Sequence, residues 1–216
     1  MSRRAQLPSL DRPPADPRRL LDFPRVDVGP DEDLWRVTRR SRNPWWFGSS
    51  MTGRFDLPKP DGTCYLATDV LSALLEVVGP DRLGGAVSAD FFASRALHRL
   101  QLPAERSLAD LTTRRAAGFG VTLEVHSMVP YDLPQAWASA LWQAGAEGLR
   151  YWVRHDPAAG GGVALFGSGG EQKAWRRGRE LPIGGQLTRQ LERECGIAVV
   201  EIPRRSEVEL VEPPVP

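Results

Sequence analysis

Three side chains of complementary chemistry fall within one stretch of the chain. Arg54 lies in a Gly53-Arg54-Phe55-Asp56 turn, Tyr65 in Cys64-Tyr65-Leu66-Ala67, and Glu76 among Leu74, Leu75, Val77 and Val78. An arginine offers a planar, permanently charged fork that suits phosphate or carboxylate. A tyrosine offers an apolar ring with a polar tip. A glutamate set among aliphatic neighbours needs a partner or a solvated cleft, because burying a bare carboxylate is costly. Arg54 is the natural partner. From the residues alone the set reads as a structural Arg54–Glu76 ion pair, as a Glu76 on a solvated face, or as a reacting centre.

Short mixed elements must position these groups. Leu34–Val37 and Cys64–Ala67 read as strands. Thr68-Asp69 offers an N-cap for a helix over Val70–Val78, which Gly79-Pro80 ends. Val70, Leu71, Leu74, Leu75 and Val78 follow the helical apolar period, and Glu76 falls off that stripe. Further on, residues 96–102 alternate as a half-buried strand does. A helix starts at Asp132-Leu133-Pro134 and ends near Gly145. Leu149–Val153 and Gly162–Phe166 read as strands, Gln186–Glu194 as a helix closed by Gly196, and Ile197–Ile202 as a last strand. No regular βαβ rhythm runs through them, which favours an α+β domain with a largely antiparallel or split sheet.

The expected division is a Pro/Arg-rich arm over residues 1–31, poorly ordered or wrapped on the surface with Leu20, Leu21 and Phe23 able to dock on a core, a folded domain over 32–203, and a Pro-rich tail over 204–216. With 216 residues, one well-buried domain fits better than two very small ones. A formal net charge of +1 gives no global electrostatic reason to bind nucleic acid or an anionic membrane. No apolar stretch is long enough to span a bilayer, and no apolar core follows the basic N-terminal residues as in a secretory signal, so a cytoplasmic location is expected. Cys64 and Cys195 read as free thiols. No metal is expected: His98, His126 and His155 have no ligand spacing, and there is no CxxC, HExxH or Walker loop. The Gly160-Gly161-Gly162 run is better explained by hairpin turns than by a phosphate cradle. Trp45-Trp46-Phe47 fits a ligand stack or a packed loop equally.

In order, Leu34-Trp35-Arg36-Val37, Gly53-Arg54-Phe55-Asp56, Tyr65-Leu66-Ala67-Thr68-Asp69 and Ala73-Leu74-Leu75-Glu76-Val77 resemble the RES domain family. Leu108–Thr112, Gln135–Ala138, Gly148–Tyr151, Arg154–Pro157 and Val163–Phe166 extend the resemblance over roughly residues 34–202. The resemblance implies an ADP-ribosyltransferase-like fold and a toxin that degrades NAD or transfers ADP-ribose. It also implies a partner, an Xre-type antitoxin with a helix-turn-helix domain. It makes Arg54, Tyr65 and Glu76 the catalytic set and adds Arg36 to Arg54 and Tyr65 in holding NAD. The implied reaction is cleavage of the nicotinamide–ribose bond, as a glycohydrolase or phosphorylase. ADP-ribosyl transfer to a protein and a non-catalytic, NAD- or partner-binding relative are the alternatives. Two positions depart from the family pattern. Asp56 stands where an asparagine is usual, and Val153 where a serine is expected, with Ser168 just past the next strand.

Overall fold

The computed structural model describes residues 9–79 and 85–201. In chain order the elements are β1 (Arg25–Val28), β2 (Leu34–Arg39), β3 (Trp46–Phe47), β4 (Asp61–Ala67), α1 (Val70–Val78), β5 (Ala86–Ser88), α2 (Ala89–Ala93), β6 (Arg95–Leu100), β7 (Arg106–Asp110), α3 (Asp132–Gln143), β8 (Gly148–Trp152), β9 (Gly161–Ser168), β10 (Gly170–Glu171), β11 (Arg179–Pro182), α4 (Gly185–Cys195) and β12 (Ala198–Val200). Eight strands form one sheet in the order β1-β7-β8-β9-β4-β2-β6-β11. All its pairings are antiparallel except β7 with β8. This is the mixed α+β architecture expected from the sequence.

One seam in the sheet matters for the site. β4 pairs with β9 from Asp61 to Ala67, and β2 pairs with β6 from Leu34 to Arg39. Between β2 and β4 the only paired residues are Trp35 and Ala67. The sheet therefore splits there. Strand alternation puts Trp35, Val37, Tyr65, Ala67, Leu97, Leu149 and Ala164 on one face. That face has two covers. Over β7, β8 and β9 lie α3 and the N-terminal segment, with Trp137, Leu141, Leu20 and Phe23 fully or almost fully buried. Over β2 and β6 lie α1 and α4, with Leu74, Val78 and Leu191 buried. The split opens where these covers meet. The opposite face buries Cys64, Leu66, Leu100, Val163 and Leu165 beneath Trp45 and Phe47.

The N-terminal residues depart from the expected arm. From Ser9 onward they belong to the fold. Leu10, Leu20, Phe23 and Val28 are buried, Asp11 N–H bonds the Gly120 carbonyl, and β1 pairs with β7. The physical reason is sparse but well-placed apolar residues: Leu20 and Phe23 fill the core under α3 while the intervening Leu21 stays exposed. The Pro-rich tail over 204–216 lies outside the described residues. Two other readings change. β6 is buried on both faces rather than one, since Leu97 packs with residues of α1 and α2 and Leu100 lies in the core that contains Trp45. Gly161 and Gly162 form the start of β9 rather than a turn. A Cβ on Gly162 would lie 2.4 Å from the Tyr151 ring, so the glycine is there for close approach.

Candidate active site

α1 carries Glu76 to the split. Asp69 caps the helix by accepting the Ser72 N–H at 2.9 Å, and Ser72 Oγ bonds both Asp69 and Asp156, which ties the helix start to the loop between β8 and β9. One turn later Glu76 faces the seam. Its Oε2 is buried and has no hydrogen-bond partner among the described residues, and its Oε1 lies 3.5 Å from the Tyr151 hydroxyl. Burial pushes the Glu76 carboxyl above its ordinary value, and the positive charge of Arg54 pulls partly against that.

Arg54 enters from the turn before β4. Its guanidinium is buried, donates to the Met128 carbonyl at 2.7 Å, and lies 4.8 Å from the centre of the Tyr131 ring. Burial lowers its pKa, with Tyr131 and Glu76 opposing. Among the described residues no ion pair joins Arg54 to Glu76. The structural pair expected as one reading is therefore not formed. The two groups instead share a cleft of about 240 Å³ with Tyr65, Tyr131, Tyr151, Arg154 and His155. A second cavity of about 160 Å³ lies beside it, walled by Trp35, Val37, Ala67, Val77 and Val153. Tyr65 and Glu76 border both. Small-molecule pockets usually hold roughly 300–1,000 Å³, so a ligand of nucleotide size needs both cavities together.

Tyr65 shows its ring to this space and buries its hydroxyl. The oxygen accepts the Phe55 N–H at 2.8 Å and donates to Asp56 Oδ1 at 2.9 Å. Asp56 is 3% exposed and turned inward, so it does not place a charge at the cleft surface.

Arg36 is the outlier of the expected set. Its backbone borders the smaller cavity, but its guanidinium donates to the carbonyls of Pro44 and Trp46 and touches Cys64 Sγ. Cys64 and Tyr65 point to opposite faces by strand alternation. The Arg36 head group thus lies across the sheet from Glu76. Val153 is 2% exposed and lines the smaller cavity as an apolar wall. Ser168 does not replace the missing hydroxyl: it is exposed and pairs with Asp61 at the far end of β4 from Ala67. Trp45 and Phe47 are core residues, whereas Trp46 is exposed.

Sequence reasoning missed Tyr131, Tyr151, Arg154 and His155. Tyr131 sits just ahead of α3, and Tyr151 is opposite Gly162. A glycine inside a strand signals a large neighbour, so Gly162 was the available clue to Tyr151. Among the described residues no group of His, Cys, Asp and Glu is arranged to hold a metal ion, and no helix is long and apolar enough to cross a membrane.

An α+β domain with a sheet split under a helix-borne carboxylate and a buried arginine defines the structural class. The RES domain model matches residues 33–183, and the chain belongs to that family. In fold it is similar to a chain of the M. tuberculosis MbcT–MbcA toxin–antitoxin complex, with a TM-score of 0.56 at 18% identity, over 76% of this chain and 87% of that one. No curated protein matches the sequence significantly.

Proposed function

We propose that this protein is the toxin of a toxin–antitoxin pair and that it consumes NAD by cleaving the nicotinamide–ribose bond. One observation carries the chemical part: a buried carboxylate oxygen without a partner, in a cleft that also holds a buried arginine and an open tyrosine ring. Cleaving this bond returns the bonding electron pair to the cationic pyridinium, which leaves as neutral nicotinamide, and positive charge develops on the ribose in the transition state. A preorganised negative group beside the ribose stabilises that charge. Glu76 has this role. Arg54 serves the pyrophosphate or ribose, and the ring of Tyr65 packs on the nicotinamide. Arg36, as folded, holds the loop at Pro44–Trp46 on the opposite face of the sheet, and direct contact with NAD requires its head group to turn. The acceptor is water, inorganic phosphate or a protein side chain. Family membership and the fold likeness to a toxin–antitoxin complex support a partner protein, for which an Xre-type antitoxin remains the proposal.

Val153 supports a second reading, a relative that binds NAD without turning it over, because valine removes a hydroxyl from the cavity wall. Incubating the purified protein with NAD separates the two. Nicotinamide release with free or phosphorylated ADP-ribose supports a degradative enzyme. NAD that binds but stays intact supports the second reading, and a gain of turnover in Val153→Ser would strengthen it. A labelled protein product indicates ADP-ribosyl transfer.

A further inference from the structure

The Tyr65 hydroxyl has no proton left to donate to a ligand. It carries one proton and accepts through its lone pairs. The Phe55 N–H fills one acceptor position and Asp56 Oδ1 takes the proton. Asp56 is itself held: its Oδ2 accepts the Gly53 N–H at 3.0 Å and the Ser50 hydroxyl at 3.3 Å. An ionised carboxylate only accepts, so the direction of the Tyr65–Asp56 bond is fixed. The turn is built around this contact. A Cβ on Gly53 would lie 2.4 Å from Asp56 Oδ1 and 2.6 Å from the Tyr65 oxygen, so nothing larger than glycine fits. The phenol that faces Glu76 belongs to Tyr151 instead.

We propose that Asp56 is a positioning residue that withdraws the Tyr65 hydroxyl from the chemistry, so that Tyr65 acts on its ligand only through its ring face, against a flat aromatic group. This rests on the reading of the cleft as an NAD-cleaving site and fixes which part of the substrate Tyr65 takes. The ring borders both cavities, so it stands where a planar group passing from one to the other must lie. Burial and the Asp56 charge both raise the Tyr65 pKa, in keeping with a phenol that stays protonated in this place.

The test compares Tyr65→Phe, Tyr65→Leu and Asp56→Asn with the parent. Tyr65→Phe keeps the ring but loses its anchor, so it is expected to raise KM for NAD severalfold, as Asp56→Asn does, and to keep far more kcat/KM than Tyr65→Leu. Tyr65→Leu removes the ring and is expected to lose about tenfold or more in kcat/KM, as the loss of an aromatic contact allows. Asp56→Asn is expected to raise KM severalfold with little change in kcat, because the ring stays but its anchor weakens. A Tyr65→Phe protein as inactive as Tyr65→Leu overturns the proposal. A second readout does not need turnover. The Raman tyrosine doublet, taken as parent minus Tyr65→Phe, is expected to show a strong donor phenol that weakens in Asp56→Asn, and an unchanged doublet overturns the anchor. If the parent leaves NAD intact, the proposed function fails separately. Equilibrium binding of NAD then decides: clearly weaker binding in Tyr65→Leu than in Tyr65→Phe supports a ring contact, and no difference between the two overturns it.

Discussion

Glu76 keeps one carboxylate oxygen buried without a hydrogen bond, an arrangement that folding alone does not favour. Leaving a buried polar group unpaired costs about 1–3 kcal/mol, and more when it is charged. The sign of the pH dependence follows from the raised carboxyl pKa. The folded state holds the proton more tightly than the unfolded one, so this group's contribution falls as pH rises from the unfolded value through the raised folded value. Glu76→Gln, which removes the charge and keeps the shape, is therefore expected to unfold at higher temperature than the parent at pH 7, by about 1 kcal/mol of stability. Scanning calorimetry checks this. A Glu76→Gln variant less stable than the parent would mean that Glu76 is a satisfied structural group. If Glu76 acts in its ionised form as proposed, the acid limb of NAD cleavage is expected above the ordinary carboxylate range, which a pH–rate profile checks. At this scale the sequence brought forward Arg54, Tyr65 and Glu76, which the fold gathers around one cleft. It misjudged the Arg54–Glu76 contact, because Arg54 satisfies a carbonyl 74 residues away, a partner that no local pattern reveals.

Helices α1, α3 and α4 were legible because their signals are local, whereas the short α2 was not. Asp69 caps α1 and Gly196 closes α4 with φ of 64°, as the residue types suggest. The two-residue strands β3 and β10 were not, since two residues carry no period and exist only through pairing with each other. His126 links two elements that sequence reading left apart. Its Nδ1 accepts the Trp152 N–H at the end of β8 at 3.2 Å, and the residue is 5% exposed. Burial lowers its pKa to about 4, with a bond to the Leu111 carbonyl opposing. The unfolded state therefore takes up a proton first as pH falls. The stability that neutral His126 contributes is full above about pH 6.5 and is lost as pH drops toward 4, on the order of 3 kcal/mol from the size of the shift. Urea unfolding of the parent across this window is expected to show that decline, and His126→Gln is expected to flatten it. An equally steep decline in the variant would assign the acid sensitivity elsewhere.

The molecule as a whole places its site at a seam rather than in one element. Tyr65 comes from β4, Arg54 from the turn before it, Glu76 from α1, and Tyr131 from the start of α3. The lack of a βαβ rhythm suggested a largely antiparallel or split sheet, but which strands separate depends on long-range register and was not legible. The N-terminal segment was underrated for a similar reason. Its few apolar residues show no period, yet Leu10 and Leu20 are buried and the Trp137 indole N–H bonds the Asp11 carbonyl at 2.8 Å. Removing residues 1–21 is expected to destabilise the domain by roughly 4 kcal/mol, from the burial of two leucines at about 2 kcal/mol each. Denaturant unfolding measures this, and a truncated protein as stable as the parent would show that the segment only rests on the surface. The central claim, that Glu76 is the catalytic carboxylate of an NAD-cleaving site, is tested most directly by nicotinamide release from NAD by the folded parent and by Glu76→Gln. The expected result is release by the parent and a loss of about a hundredfold or more in the variant. Equal rates in the two proteins, or a folded parent that leaves NAD intact, would contradict it.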